Sequence, residues 1–283
     1  MNIDSINNVV RKTGVTESSQ IKNELFFYNE IAHNFSKLVP KLIFTDEEKS
    51  ILEIENLSEN YVFIEQKRGF NHRESYRTIS TYMEIQEKVK GSKIKLSSSK
   101  ISNWPLNQPR SLIINEIETW ISSYTFPSIK NKEIVALFKI FFEQSSKIYD
   151  ELEMNSMGII HGDFRCDNIA LPKNNGKPKI IDWESFGKGS ILIDLTVFLL
   201  QSVNIEYQDR VKKTIIKSFC KYFINTNYDD VERLLHLASP LISIYLIRFQ
   251  RTKDKEDLYF VIEKRMTYFY ERNLEKIKAA LLK

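Results

Sequence analysis

The sequence predicts an α+β fold, with short strands in two stretches and helices over most of the rest. Three observations carry this expectation. Residues 8–13, 40–44 and 51–54 are brief apolar runs bounded by polar residues, all within the first fifth of the chain. Residues 158–184 read as a loop, a strand, a turn and a second strand. Between and beyond these stretches, apolar residues recur at helical spacing.

The chain has 283 residues, enough for one large or two modest domains with a sizeable core. Forty-one basic and 37 acidic residues leave a net charge of +4, and no basic run of five or six occurs, so nucleic acid is not an expected partner. No apolar stretch approaches the roughly 18 residues of a membrane span, and no signal-peptide pattern opens the chain. Two cysteines, Cys166 and Cys220, make no disulfide framework, so the expected setting is a reducing cytoplasm.

Taken in order, residues 8–13 (N-V-V-R-K-T) form a short strand that carries Arg11 and Lys12. A helix follows from about 16 to 37, with Ile21, Leu25, Tyr28 and Ala32 on its apolar stripe and Glu24 bordering that stripe. Two strands, 40–44 and 51–54, then flank the acidic turn Asp46-Glu47-Glu48. Residues 71–89 form a polar helix with Tyr76, Ile79, Met83 and Ile85 on its buried side. Three consecutive serines and two prolines in 91–109 break helical structure, which makes this an inter-lobe or lid loop or a surface excursion, with Trp104 as its anchor to the core or as a ring to stack on a substrate. Helices resume at 111–124 and 131–152, the second with a wide apolar face built on Ile134, Leu137, Phe138, Phe141 and Phe142.

The stretch 158–184 holds the chemistry. His161, Gly162 and Asp163 are followed five residues after the aspartate by Asn168, and Ile180-Ile181 deliver Asp182. Asn175-Gly176 is a hairpin signal, since both residues tolerate positive φ. Antiparallel pairing brings Asp163, Asn168 and Asp182 together. One Asp and one Asn oxygen suit Mg²⁺, which takes few protein ligands and completes its shell with water and phosphate oxygens. A second Asp, off the metal, is placed to orient and deprotonate a hydroxyl. Cys166 in this loop reads as a packing residue. Residues 186–190 form a glycine-bearing loop, and residues 191–202 an apolar helix containing Asp194, whose carboxylate must find hydrogen bonds if it is buried. Three further helices, about 208–224, 228–248 and 256–281, close the chain, their aromatics (Tyr245 among them) mostly packing.

The wording H-G-D-F-R-C-D-N followed by I-D-W-E resembles the aminoglycoside phosphotransferase and choline kinase superfamily, relatives of the protein kinases that phosphorylate small molecules. E-L-F-F-Y-N-E-I followed by V-P-K-L resembles the branch related to choline and ecdysteroid kinases. The resemblance implies a protein-kinase-like two-lobe fold, with residues 1–57 as a small nucleotide-binding lobe and 58–283 as a large, mainly helical catalytic and substrate lobe. It implies an ATP- or GTP- and Mg²⁺-dependent phosphotransferase acting on a hydroxyl of a small molecule. Asp163 would be the base and Asn168 and Asp182 the metal ligands. His161 would orient the loop, and Arg165 would bind the γ-phosphate or a substrate oxygen, or pair with Glu184. Lys12, rather than Arg11, would hold the α and β phosphates and pair with Glu24, rather than Glu30; the backbone of Glu55, Asn56 and Leu57 would face adenine. Asp194 would brace the catalytic loop.

One departure stands out. Only about seven residues precede the Lys12 strand, and Gly14 is the sole glycine before Gly69, so the strands joined by a glycine-rich phosphate loop are missing. The expectation divides three ways: truncation, a different phosphate clamp, or a kinase-like protein that binds a nucleotide or metabolite without transferring phosphate. The resemblance does not name the acceptor or the oligomeric state.

Overall fold

Residues 2–6, 9–14, 19–90, 115, 117–119, 131–223, 226–250 and 256–283 are described in the computed structural model. Residues 91–109, with Trp104, lie outside them, as does most of 111–124, whose described residues 115 and 117–119 are helical.

The polypeptide forms a small N-terminal lobe and a larger, mainly helical lobe. In the small lobe β1 (Asn2–Ile6), β2 (Val9–Thr13), β3 (Leu42–Asp46) and β4 (Ile51–Glu55) make an antiparallel sheet in the order β1-β2-β4-β3. Lys12 pairs with Ile3 on one side and Leu52 on the other. The strand that carries Lys12 is therefore internal, flanked by a β1 that the N-I-D-S-I sequence hides behind residues depleted in strands. Between β2 and β3 runs α1 (Ser19–Phe26), which widens into a π-turn over Phe27–Ile31 and tightens into a 3-10 turn over Ala32–Phe35. Ile21, Leu25, Tyr28 and Ala32 are all buried, as their spacing predicts.

The large lobe opens with β5 (Tyr61–Phe63) and α2 (His72–Val89). Asn71 caps α2: its side chain accepts from Glu74 N at 2.9 Å, and Glu74 returns a bond to Asn71 N at 2.9 Å. Ile79, Met83 and Ile85 lie on the buried face of α2 as expected, but Tyr76 is 56% exposed, and Ser75, Thr78, Tyr82 and Gln86 face inward as well. That face mixes polar with apolar residues, which draws an apolar reading one position off at Tyr76.

The long α3 (Asn131–Ser156) buries Ile134, Leu137, Phe138, Phe141 and Leu152 and delivers the chain to β6 (Met157–Ile160). β6 pairs antiparallel with β9 (Gly187–Ser190), so the expected loop at 186–190 is in fact a strand. Glycine permits this: a Cβ on Gly189 would meet Ile160 Cδ1 at 3.0 Å. β7 (Ile169–Pro172) pairs with β8 (Lys179–Ile180) as expected and also with β5. The turn between β7 and β8 is wider than a two-residue Asn-Gly hairpin, and neither Asn175 nor Gly176 takes positive φ. Asn174 shapes it instead, its side chain accepting from Gly176 N at 2.9 Å. Beyond lie α4 (Ile191–Val197, continuing as a π-turn to Ser202), α5 (Gln208–Tyr222), α6 (Tyr228–Gln250) and α7 (Glu256–Leu281). Pro240 inside α6 cannot donate to His236 O, and the Ser239 hydroxyl takes that acceptor at 2.9 Å. Among the described residues, no helix is long and apolar enough to cross a membrane.

The capping box makes a direct prediction. Asn71→Ala should cost about 1 kcal/mol, a Tm shift of roughly 2 °C in a chain of this size, read by thermal denaturation. An unchanged Tm would mean that the cap contributes nothing.

Candidate active site

The pleat of β2 turns alternate side chains to opposite faces. Lys12 points inward and is 5% exposed, while Arg11 points out to pair with Glu53 at 3.5 Å. On α1, Glu24 shares the buried face with Ile21 and Tyr28, whereas Glu30 is exposed. Lys12 Nζ donates to Glu24 Oε1 and Oε2, both at 2.8 Å, and to Asp182 Oδ1 at 2.6 Å. One ammonium thus joins β2, α1 and the segment after β8. Asp182 adopts φ 64 and ψ 57, the left-handed region, which costs a non-glycine residue roughly 1–3 kcal/mol and is sustained here by the Lys12 bond and the turn that follows.

Burial and the like charge of Asp182 push the Glu24 carboxyl up from 4.5 to about 7 against the pull of Lys12. Burial works to lower the Lys12 ammonium, but its two carboxylates outweigh it and hold the proton on. The two directions agree, because one cation is shared between two anions. Glu184, on the next turn, is also pushed up, by burial and then by Asp182.

Residues 161–168 sit against this cluster. Asn168 Nδ2 donates to Asp163 O at 2.8 Å and to Asp163 Oδ2 at 3.0 Å. Asp163 N donates to His161 Nδ1 at 3.2 Å, so Nδ1 is unprotonated and Nε2 carries the hydrogen given to Ile181 O at 2.7 Å. His161 is therefore a neutral strut between the Asp163 loop and the Asp182 strand. Gly162 takes φ 83, and a Cβ there would meet Ser185 O at 2.3 Å, so only glycine fits. Arg165 forms an ion pair with Asp163, Nε to Oδ2 3.0 Å, and lies 4.0 Å from Asp167. The alternative partner, Glu184, instead accepts from Gln20 at 3.1 Å.

Below the loop Asp194, fully buried, accepts from His161 N at 2.5 Å, Gly162 N at 3.1 Å and the Tyr82 hydroxyl at 2.7 Å. It is the brace expected of it. Trp183 packs as expected, buried between Phe27 (4.3 Å between centroids) and His161 (4.6 Å), with Nε1 donating to Ile180 O. Cys166 is buried and its thiol is pushed up to about 12, by burial first, which suits packing and not nucleophilic chemistry.

In the segment 55–57 the side chains and the last carbonyl have local partners. Glu55 accepts from Lys41 N at 3.1 Å and pairs with Lys179, whose Nζ lies over the Tyr61 ring. Asn56 Oδ1 accepts from Ser58 N, and the Leu57 carbonyl accepts from both Asn60 N and Tyr61 N, so both of its lone pairs serve the local turn.

Sequence reasoning passed over two residues and left a third among the C-terminal aromatics, a few of which were expected to line an acceptor pocket. Tyr82 and Gln86 of α2 hold the catalytic loop and β6, and a helix far away in sequence leaves no motif to mark them. Tyr245 of α6 lies beside the loop, its phenol pushed up by burial and then by the Asp163 carboxylate. It is hidden among many helical aromatics.

The donor set fits a hard cation. Asn168 spends its amide nitrogen on Asp163, which leaves Oδ1 as the acceptor, and Asp182 adds a carboxylate. Among the described residues no group of three His, Cys, Asp or Glu could hold a metal. Two oxygen ligands with the remainder from phosphates is the arrangement Mg²⁺ takes with nucleotides.

Comparisons with known proteins bear on the family and the fold. The sequence profile of the ecdysteroid kinase-like family matches residues 5–229. No curated protein matches by sequence. A choline/ethanolamine kinase family protein from Mesorhizobium loti superposes with a TM-score of 0.58 at 12% identity, over 99% of this chain and 88% of that one. A choline kinase from Streptococcus pneumoniae gives 0.53 at 15%, over 98% and 89%. A mutant aminoglycoside 2'-phosphotransferase in complex with GDP gives 0.53 at 13%, over 94% and 86%.

The raised Glu24 carboxyl predicts a pH dependence. Between about 4.5 and 7 the folded state holds a proton that the unfolded state has released, so this group's contribution to stability falls as pH rises through that window. The Tm advantage of the parent over Glu24→Gln should shrink from pH 5 to pH 8; an advantage that grows would reverse the sign assigned here.

Proposed function

This chain belongs to the ecdysteroid kinase-like family, and we propose that it transfers the γ-phosphoryl group of ATP or GTP to a hydroxyl of a small molecule. The observation that carries the reading is the union of Lys12, Glu24 and Asp182 through one ammonium, beside an Asp163 carboxylate held by Asn168. Phosphoryl transfer asks the protein chiefly for positioning and charge neutralisation, and these are the groups that supply them. The choline kinases and the GDP-bound phosphotransferase among the fold neighbours support the choice of nucleotide and of a small hydroxyl acceptor.

In this reading Lys12 keeps its bonds to Glu24 and exchanges the one to Asp182 for oxygens of the non-transferred phosphates. Asn168 and Asp182 would hold magnesium, which when bound neutralises charge across the phosphates. Asp163 aligns the acceptor hydroxyl and takes its proton as the oxygen bonds to the γ-phosphorus. The bridging P–O bond breaks, and its electron pair leaves with the nucleoside diphosphate. Arg165, paired with Asp163, would turn to the γ-phosphate or an acceptor oxygen, and Tyr245 would line the acceptor side.

The test is acceptor-dependent diphosphate formation over amino alcohols, choline, sugars, aminoglycosides and an ecdysteroid. Asp163→Asn should lower kcat by about 10²- to 10⁴-fold and leave nucleotide affinity in place. Parent-level turnover in that variant would remove Asp163 as the base. Nucleotide binding without diphosphate formation on any acceptor would favour a nucleotide- or metabolite-binding protein instead.

A further inference from the structure

We propose that Tyr82 of α2 is a positioning residue for the catalytic loop, acting through Asp194; the inference rests on the phosphotransferase reading for its effect on turnover. Asp194 Oδ2 receives two donors, His161 N at 2.5 Å and the Tyr82 hydroxyl at 2.7 Å, while Oδ1 receives Gly162 N at 3.1 Å. The carboxylate is fully buried, and burial pushes it up despite these donors. A carboxylate so placed stays ionised and correctly turned only while its hydrogen bonds are complete. The Tyr82 hydroxyl has one hydrogen, and the 2.7 Å contact to Asp194 takes it in preference to Ile159 O at 3.3 Å.

Tyr82 also acts on the loop through its ring, which stacks on Phe164 at 4.5 Å and 29°. Phe164 directly follows Asp163, so one side chain fixes the backbone before the base and the ring after it. One helical turn on, Gln86 repeats the device. Its Nε2 donates to Ile159 O at 2.7 Å and its Oε1 accepts from Ile159 N at 3.1 Å, as a neighbouring strand would. Residues four apart share a helix face, so Tyr82 and Gln86 grip β6 and the loop it feeds from one side. The same helix reaches the β7–β8 turn, where Arg77 donates to Gly176 O and Lys177 pairs with Glu84. Through these contacts α2 touches both the segment that presents Asp163 and the one that presents Asp182.

The experiment is Tyr82→Phe, which keeps the ring and removes only the hydroxyl, read by amide hydrogen exchange and by kinetics. Exchange at His161 and Gly162 should quicken about tenfold with the β2 and β4 amides unchanged, and kcat should fall about tenfold with nucleotide KM within about twofold. Tyr270→Phe, which removes a buried hydroxyl bonded to Ser243 instead of Asp194, should change neither. Gln86→Met should quicken exchange at Ile159, a second measure of the same grip should the first variant fold poorly. Unchanged exchange at His161 and Gly162, or a rise spread evenly over the small-lobe sheet, overturns the proposal. If the parent turns over no acceptor, the phosphotransferase reading fails while the exchange data still decide the role of Tyr82.

Discussion

The ammonium of Lys12 joins three segments that are remote in the chain, and the candidate site exists only while it does so. Taking a lysine and a glutamate out of water is costly, and an ion pair seldom repays that cost by attraction alone. Here Glu24 is fully buried and Lys12 nearly so, while Asp182 sits at a left-handed backbone position. Stability alone would be better served by apolar residues at these places. Their retention makes sense if the cluster is a site first and a support second. With Glu24 ionised, two carboxylates on one cation leave a surplus negative charge, the condition under which an incoming cation finds a place.

A second centre, Asp194, organises the loop as Lys12 organises the cleft. Between the two runs a column of rings: Phe27 on Trp183, Trp183 on His161, His161 beside Phe164, Phe164 on Tyr82. It begins in the small-lobe helix and ends on α2. Stacked aromatics hold geometry at little entropic cost, because each has only two side-chain torsions. Within this column His161 is a packing and hydrogen-bonding element that carries no charge, with one nitrogen for the Asp163 loop and the other for the Asp182 strand.

Much of the candidate site was legible because its residues lie close together in sequence. The H-G-D-x-x-x-x-N spacing and the Asp after two isoleucines fall on one hairpin, and antiparallel pairing does the rest. Lys12 over Arg11 follows from the pleat, and Glu24 over Glu30 from the helical stripe. What escaped depends on contacts between distant elements. β9 looks like a glycine loop until β6 lies beside it, and Tyr76 reads as part of the buried face of α2, where polar Gln86 points inward to meet β6. Arg165 pairs with Asp163, while Glu184 accepts from Gln20. Nothing local to any of these residues carries that information.

The measurement that bears most directly on the account is a calorimetric titration of nucleotide into the purified protein, with and without magnesium, beside Asp182→Ala. The account predicts saturable binding that weakens at least about tenfold when either magnesium or the Asp182 carboxylate is withdrawn, with no further loss when both are. Binding indifferent to both, or none at all, would contradict the claim that the Lys12 cluster is a magnesium–nucleotide site.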